Sequence, residues 1–353
     1  MKNGIDEIQA NGLRICIDWL SWTLSEPCSA EMAIQSMGYA MADFQLLPQG
    51  RNGYRSQFHH SVYPISVQYD GHEGMGVHVD VPGSAIQDLV VHYSMSRSVP
   101  SPFGPMAYDA SSFDSTVLAD MLGYMSSLGH ITRLDLAIDD IGANYYTLPV
   151  FYDRLLQECF VSKFHYWKNT DEHGDGGTLS GHTIYMGNRT SSVMLRVYDK
   201  QLEQNKKLKK AGSPLIGHAW VRWELELKAE RSQKAADALA NGMGINDLTI
   251  GILSNYLRII CLDASRKGRC SMDPTWESFI GDVLKVALYH SPEPKTIDDT
   301  KNWLERQVAT SLATVVIADG GDSSFIHHLL DSGSRRLSSH HRDMILQASG
   351  GQS

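Results

Sequence analysis

The stretch "HITRLDLAIDD", residues 130–140, decides the fold class because apolar and charged side chains alternate along it. Successive residues of a β-strand point to opposite faces of a sheet, so this period of two predicts a strand with one buried face. Leu134, Leu136 and Ile138 form that apolar face. The opposite face carries Arg133, Asp135 and Asp139.

Two later stretches repeat the pattern and extend the charged face. In "WVRWELELK", residues 220–228, the charged side holds Arg222, Glu224, Glu226 and Lys228. In "VMLRVYDK", residues 193–200, it holds Arg196, Tyr198 and Lys200. If the three strands are neighbours, a single face collects carboxylates, guanidinium groups, a lysine and a tyrosine.

An ordinary solvated sheet face with cross-strand ion pairs is the alternative interpretation. Clustered carboxylates repel one another unless a cation lies among them. A divalent ion with oxygen ligands would serve, and Mg²⁺ or Mn²⁺ in such a site acts on phosphates. The three strands together, followed by a lysine-rich segment, favour the functional interpretation.

The whole sequence predicts an α+β fold in which an antiparallel sheet carries the active face and helices flank it. Strand and helix patterns mix before residue 231, and we expect two related strand-rich halves there. After residue 231 the apolar spacing becomes helical. We therefore expect an α+β catalytic domain at 1–230 and a mainly helical C-terminal region at 231–353.

The composition argues against several classes of protein. No run of about 18 apolar residues exists, so no membrane association is expected. The N-terminal residues are polar and lack the apolar segment of a secretory signal, which predicts a cytoplasmic location. The five cysteines are scattered without a C-x-x-C pair, which argues against a disulfide framework and a cysteine-held zinc ion.

Charge is unevenly distributed along the chain. The formal net charge is −9, which argues against a protein that coats nucleic acid. Residues 199–210, "DKQLEQNKKLKK", nevertheless carry five lysines and two acids. A solvated helix face is the common explanation for such a run. Its position directly after Tyr198 also makes it a candidate for contacting phosphates.

Three strings, "TRLDLAIDD", "TIYMGNRTSSVMLRVYDK" and "WVRWELELKAERS", resemble the replication initiation factor family in their residues and order. The family contains rolling-circle initiators of certain plasmids and filamentous phages, and nicking relaxases of integrative elements. The resemblance implies site-specific, metal-dependent nicking and joining of DNA at an origin. The cut passes through a covalent 5′-phosphotyrosine and leaves a 3′-hydroxyl for a polymerase.

The family pattern implies the roles of individual residues on the charged face. Tyr198 stands where the family has its nucleophile. A phenol has a pKa near 10, so about one molecule in a thousand is ionised at neutral pH. Lys200 and Arg196 are expected to favour the phenolate and to contact the scissile phosphate. The expected ligands of Mg²⁺ or Mn²⁺ are, in order, Asp135, Glu224, Glu226 and Asp139.

Contacts to DNA are expected from cations on the charged face, in the predicted hairpin and along the lysine-rich segment. These are Arg133, Arg189, Arg222, Lys206, Lys207, Lys209 and Lys210. The DNA is expected to be single-stranded or extruded origin DNA. The candidates for stacking on unpaired bases are Trp19, Trp22, Trp167, Trp220 and Trp223. Of these, alternate apolar positions such as Trp223 are expected in the core.

Two other functions stay open from the sequence. An origin-binding regulator, or a degenerate initiator, would bind DNA without cutting it. A metal-dependent phosphodiesterase would activate water, and Tyr198 would then be structural. The helical region could bind duplex DNA, recruit a host helicase or form a homodimer, and the sequence does not choose among these.

Overall fold

The computed structural model describes residues 7–8, 13–97 and 115–281 and, towards the C terminus, residues 297, 301, 304–335, 337, 345 and 348. The chain divides into two compact units, Met1–Leu288 and Tyr289–Ser353.

A large antiparallel sheet forms the centre of the first unit. In chain order, the strands are β1 (Glu7–Ile8), β2 (Arg14–Leu24), β3 (Phe44–Leu47), β4 (Ser56–His60), β5 (Ser66–Tyr69), β6 (Val77–Pro82), β7 (Gly129–Ile141), β8 (Phe160–Ser162), β9 (Trp167–His173), β10 (Leu179–Met186), β11 (Val193–Asp199), β12 (Trp220–Lys228) and β13 (Leu257–Ile259). The order across the sheet is β3-β4-β5-β6-β2-β7-β12-β11-β10-β9, with β1 beside β2. β8 and β13 form a separate pair.

Helices flank the sheet, which confirms the predicted α+β class. In the first unit they are α1 (Ala30–Ser36), α2 (Gly83–Arg97), α3 (Ser115–Leu128), α4 (Leu148–Leu156), α5 (Lys200–Lys210), α6 (Glu230–Ala240), α7 (Ile245–Tyr256) and α8 (Pro274–Ile280). The second unit contains α9 (Ala309–Ala318) and α10 (Ser324–Ser334). Within the described ranges, the helices are too short or too polar to cross a membrane.

Two halves with the same topology make up the large sheet. In each half the first strand lies next to the last, which gives β2-β6-β5-β4-β3 and β7-β12-β11-β10-β9. The first strands of the halves, β2 and β7, pair with each other at the centre. A helix follows the last strand of each half, α2 after β6 and α6 after β12. The predicted division into two related strand-rich halves is therefore confirmed.

One face of the sheet forms the hydrophobic core. Leu134, Leu136 and Ile138 of β7 are fully buried, as predicted from their alternation. Helices α3, α6 and α7 pack against β7 on this side. Burying each such side chain contributes roughly 1.5–3 kcal/mol, so the core fixes which face of each strand points outwards. The opposite face is left for polar groups.

The helices after residue 231 belong partly to the first unit, so the compact unit does not end at the predicted boundary. Helix α6 follows β12 directly and packs on α3 and β7. The Trp276 and Phe279 rings of α8 lie 5.6 and 5.1 Å from the ring of Trp223 in the core. Because these helices complete the core, the first unit extends to Leu288. The assignment of catalysis to residues 1–230 stays a prediction.

Candidate active site

Strands β7, β12 and β11 lie side by side, and their register brings the predicted charged residues together on one face. The cross-strand pairs are Arg196–Glu224, Asp135–Glu226, Tyr198–Arg222 and Arg222–Asp139. Directly opposed residues of antiparallel strands have side chains on the same side, within contact distance. The predicted clustering of these three strands is therefore confirmed.

A pocket of about 480 Å³ opens on this face. Side chains of β2, β7, β10, β11 and β12 line it together with residues of α5 and the first residues of α2. Its lining includes the predicted catalytic residues Tyr198, Lys200 and Arg196, and the predicted metal ligands Asp135 and Glu224. The pocket thus combines a tyrosine hydroxyl, cations and carboxylates.

Tyr198 is half-buried at the end of β11 and lines this pocket. Lys200 Nζ donates a hydrogen bond to its hydroxyl oxygen at 3.2 Å, and the Glu224 carboxylate lines the same pocket. Burial, together with the charge of Glu224, raises the pKa of Tyr198 well above its ordinary value. The direction of this pKa shift is opposite to the expectation that Lys200 and Arg196 favour the phenolate. Arg196 does not offset this because its guanidinium is bound to carboxylates.

The position of Lys200 is fixed by the start of α5. The Asp199 carboxylate caps this helix by accepting a hydrogen bond from the Leu202 amide at 2.8 Å. Lys200 is buried in the first turn, and its ammonium lies 5.3 Å from the centre of the Tyr198 ring. Glu203, one turn later, pairs with the same ammonium at 2.5 Å. The sequence "YDK" therefore places the cation directly beside the phenolic oxygen.

Next to Tyr198, three carboxylates share two guanidinium groups. Arg133 Nε donates to Asp135 Oδ1 at 2.9 Å, and Arg133 Nη2 donates to Glu226 Oε2 at 3.2 Å. Arg196 Nη2 binds Glu224 and lies 3.1 Å from Glu226 Oε2 and 3.4 Å from Asp135 Oδ2. A charge-assisted network of this kind holds each carboxylate in place.

The three carboxylates differ in the direction of their pKa shifts. Burial raises the pKa of Asp135 to about 8 and also raises the pKa of Glu224. Their mutual repulsion adds to this for Asp135. Glu226 differs: although burial opposes ionisation, Lys228 and the two arginines hold the pKa of Glu226 below its usual range. Additional positive charge would therefore stabilise Asp135 and Glu224 most.

The donor chemistry of this cluster fits a hard divalent cation. Asp135 and Glu224 present carboxylate oxygens to one pocket and are disfavoured as charged groups there. In the part of the chain that the structure describes, no three histidine, cysteine, aspartate or glutamate side chains already surround a metal position. Glu226 is a weaker candidate because Lys228 is bound to it.

Asp139 and Arg222, predicted to bind metal and DNA respectively, are bound to each other in the structure. Arg222 Nε and Nη2 bind the two carboxylate oxygens of Asp139 at 2.6 and 2.7 Å, and both side chains are buried. Arg14 and Trp220 donate to the same carboxylate at 2.6 and 2.7 Å. Asp139 is fully buried and, unlike Asp135, is not among the residues that line the pocket, while the Arg222 guanidinium binds both Asp139 and Asp18. Metal binding by Asp139 and DNA binding by Arg222 stay predictions. The two residues form a buried ion pair in the floor of the pocket.

The other predicted DNA contacts lie on accessible parts of the molecule. Helix α5 exposes Lys206, Lys207, Lys209 and Lys210. Lys206 pairs with Glu172 of β9 at 2.8 Å, and Lys207 lines the pocket. Arg189 is exposed in the turn between β10 and β11, and Arg133 is half-buried at the pocket. Of these cations, Arg133 and Lys207 add positive charge to the lining of the pocket.

Asp18 belongs to the site but was not predicted. It lies at a register shift of β2 between Ile17 and Trp19, lines the pocket and binds Arg222 Nη1 at 2.5 Å. Its charge raises the pKa values of Tyr198 and Glu224. The available signal was an acid inside the apolar strand "RICIDWLSWTL", at odds with its alternation.

Residues 129–330, more than half of the chain, match the profile of the family described as replication initiation factor. The chain therefore belongs to the replication initiation factor family, which confirms the resemblance seen in the sequence. The match covers most of the second half of the sheet, with Tyr198 and the carboxylate cluster, together with the helices that follow.

Two similar proteins are consistent with this membership. Over 202 residues the chain is 33% identical to the putative DNA relaxase NicK of Bacillus subtilis (strain 168). The aligned region covers 55% of each protein. The chain thus spans about half the length of this curated relative. The rolling circle replication initiator protein from Geobacillus stearothermophilus shares the fold, with a TM-score of 0.61 and 24% identity over 79% of this chain and 100% of that one.

Proposed function

We propose that this protein nicks and rejoins one strand of DNA at a rolling-circle replication origin, with Tyr198 as the nucleophile. The observation that carries the proposal is the Tyr198 hydroxyl, which accepts a hydrogen bond from Lys200 inside a pocket that Glu224 and Lys207 of α5 also line. Membership of the family, and the similarity to a putative DNA relaxase, support DNA as the substrate.

In the proposed step the Tyr198 oxygen attacks the scissile phosphorus. The O–P bond to tyrosine forms while the bond from phosphorus to the 3′ oxygen breaks. The phenolic proton passes to water, and the departing 3′ oxygen takes a proton from water. Lys200, which donates a hydrogen bond to the hydroxyl oxygen, compensates the negative charge that develops on it.

The covalent product explains how the strand can later be rejoined. Its phosphodiester links Tyr198 to the 5′ end of the cut strand, so the energy of the broken bond is retained. A 3′-hydroxyl that enters the pocket can attack the same phosphorus and release Tyr198 without ATP. The reaction needs only one nucleophilic side chain, which agrees with the single tyrosine hydroxyl bound by Lys200.

We further propose that Mg²⁺ or Mn²⁺ supports this step. The carboxylates that would hold it are Asp135 and Glu224, with Asp18 close enough to Glu224 to raise its pKa. A divalent ion there would polarise the phosphate oxygens. Arg133 and the α5 lysines would bind neighbouring phosphates and hold the strand across the pocket.

The proposal is tested with single-stranded oligonucleotides that tile the coding sequence and its flanks. They carry a 3′ label because the protein should stay on the 5′ end of the downstream fragment. We expect a labelled protein–DNA adduct that survives denaturing electrophoresis. Tyr198→Phe should abolish the adduct and leave DNA binding nearly unchanged, whereas Tyr166→Phe, at an exposed tyrosine outside the pocket, should behave as the wild type.

Three other results would overturn the proposal. An adduct formed by Tyr198→Phe would place the nucleophile elsewhere. Cleavage without any adduct would indicate a water-activating phosphodiesterase. Binding without cleavage, across the tiled set and with Mg²⁺ or Mn²⁺ present, would indicate an origin-binding regulator. Dimerisation and recruitment of a host helicase or polymerase stay predictions.

A further inference from the structure

We propose that Tyr185 and Trp220 are base-stacking platforms that hold the two nucleotides on either side of the scissile phosphate. This inference rests on the proposed function of Tyr198. It assigns to two aromatic side chains the task of positioning the phosphate over the nucleophile. Both side chains are half-buried and line the pocket.

The register of the sheet places the two rings on opposite sides of Tyr198. Tyr198 of β11 is opposed by Thr183 of β10 on one side and by Arg222 of β12 on the other. Tyr185 lies two residues after Thr183, and Trp220 lies two residues before Arg222. Because β10 and β12 run in the same direction, the two aromatic residues are displaced in opposite directions along the strands.

Tyr185, Tyr198 and Trp220 therefore lie on one diagonal of the sheet, with Tyr198 in the middle. Each diagonal step between neighbouring strands is about 7–8 Å, which puts the two outer residues roughly 15 Å apart. Two bases bound to them would be pulled out of a stack, whose spacing is about 3.4 Å along the strand. The phosphate between them would then lie exposed over Tyr198.

The two rings differ from the tryptophans of the core. Trp22, Trp223 and Trp276 are fully buried, whereas Trp220 and Tyr185 are on the polar face, where alternation calls for polar side chains. A large aromatic group left half-exposed beside charged residues has apolar surface available for a flat ligand. Unpaired bases are flat and bind such rings whatever their sequence.

Each ring is accompanied by at least one cation over its face. Trp220 Nε1 donates to Asp139 Oδ1 at 2.7 Å, which fixes the plane of the indole, and the Arg14 and Arg222 guanidinium groups lie over the ring, 5.3 and 5.8 Å from its centre. The Lys168 ammonium lies 4.8 Å from the centre of the Tyr185 ring. An aromatic surface next to a cation matches the repeating unit of single-stranded DNA, a base next to a phosphate.

The test compares two probes that share a backbone. Binding of fluorescein-labelled oligodeoxythymidine of about 20 nucleotides is compared with that of an abasic strand of the same length, by anisotropy at low salt. The protein carries Tyr198→Phe so that no covalent step contributes. We expect the parent protein to prefer the thymidine strand. Tyr185→Leu and Trp220→Leu should each reduce this preference about tenfold, without weakening binding of the abasic strand.

Matched variants separate stacking from folding. Tyr185→Phe and Trp220→Phe keep an aromatic ring and should retain most of the preference, although Trp220→Phe loses the hydrogen bond to Asp139. Tyr166→Leu removes an exposed aromatic side chain outside the pocket and should change nothing. An unchanged preference in both leucine variants would overturn the inference, as would an equal loss of preference in Trp220→Phe and Trp220→Leu.

The outcome is independent of the nicking test. If the wild type forms the Tyr198 adduct but the leucine variants keep the preference for bases, only the stacking inference fails. If the leucine variants lose the preference but no adduct is ever formed, the two rings bind bases in a protein that does not nick.

Discussion

The Lys200 ammonium lies 3.2 Å from the Tyr198 hydroxyl oxygen, and the turn from β11 into α5 fixes this contact. Because Asp199 caps the helix, Lys200 is held in its first turn and its side chain reaches back over the phenol ring. Two residues that are two positions apart in one motif thereby meet at the phenolic oxygen, although one belongs to a strand and the other to a helix.

Replacing Lys200 with methionine should slow formation of the covalent adduct about 100-fold, because it removes a preorganised positive charge from the oxygen that becomes negative. Lys200→Arg should retain part of the rate. The rate is measured in single-turnover experiments with the 3′-labelled oligonucleotide. Lys267→Met, at an exposed lysine outside the pocket, is the control, and an equal effect of both substitutions would contradict the role of Lys200.

Replacing both Lys209 and Lys210 with alanine should weaken binding of single-stranded DNA and make it less dependent on salt. Each lost phosphate contact reduces the magnitude of the slope of log affinity against log salt by about 0.7. The magnitude of the slope should therefore be smaller by about 1.4 in the double variant. Titrations at several salt concentrations measure the slope. Lys267→Ala, which breaks the exposed Lys267–Glu158 pair, should leave the slope unchanged. A slope that is unaltered in the double variant would remove α5 from the DNA path.

Divalent cation binding should depend on the two carboxylates with raised pKa values. We expect Asp135→Asn and Glu224→Gln each to lower the affinity for Mn²⁺ about tenfold or more, since each removes a charged oxygen ligand. Isothermal titration calorimetry without DNA gives this affinity directly. Glu226→Gln should have a smaller effect because Lys228 is bound to Glu226. Equal affinities in all variants would place the cation elsewhere.

Removal of the Arg222 side chain should destabilise the fold. Arg222→Ala leaves the Asp139 carboxylate buried with its main partner missing, and such a loss costs about 3–5 kcal/mol in the free energy of unfolding. Denaturant titration measures the change. Arg55→Ala breaks an exposed pair with Asp70 and should cost less than about 1 kcal/mol. If the two substitutions had similar costs, the buried pair would not be a structural anchor.

Ionisation of Asp80 should make the free energy of unfolding depend on pH in the acidic range. Although burial opposes ionisation, hydrogen bonds from His78, Ser21 and Gln68 lower the pKa of Asp80 from 3.8 to about 2. The ionised Asp80 therefore stabilises the fold at pH values above 3.8, the pKa of the carboxyl in the unfolded chain, and this stabilisation is lost as the pH falls towards 2. The contribution is about 2 kcal/mol at neutral pH.

The measurement for Asp80 is the difference in unfolding free energy between wild type and Asp80→Asn at several pH values. The difference should shrink between about pH 5 and pH 2 because the wild type loses the contribution there. Asp70→Asn, at an exposed ion pair, serves as the control. A difference that stays constant over this range would show that the ionised form of Asp80 gives no net stabilisation.

Much of the chemistry was predictable because the motif residues lie on strands. An alternating strand fixes which side chains share a face, so Asp135, Glu224 and Tyr198 could be placed on one face before their neighbours were known. Neighbouring strands then confirmed the cluster. Asp18 could not be placed on this face from the alternation because a register shift of β2 interrupts the alternation at this residue.

The roles of the charged residues could not be predicted in the same way. Alternation alone does not distinguish Asp139 from Asp135, since both lie on the charged face of β7. Only packing decides that Arg222, Arg14 and Trp220 converge on Asp139 and use its oxygens. Distant residues supply these partners, and their proximity depends on the order of strands across the sheet.

The sequence by itself determined the α+β class and the charged face that carries Tyr198, because period-two patterns act over a few residues. The tertiary structure decided which charged side chains line the pocket, that burial raises the pKa of the phenol, and that Tyr185 and Trp220 flank it. These properties depend on burial and on contacts between strands far apart in the chain. Burial sets the pKa of each group, and strand register sets its neighbours.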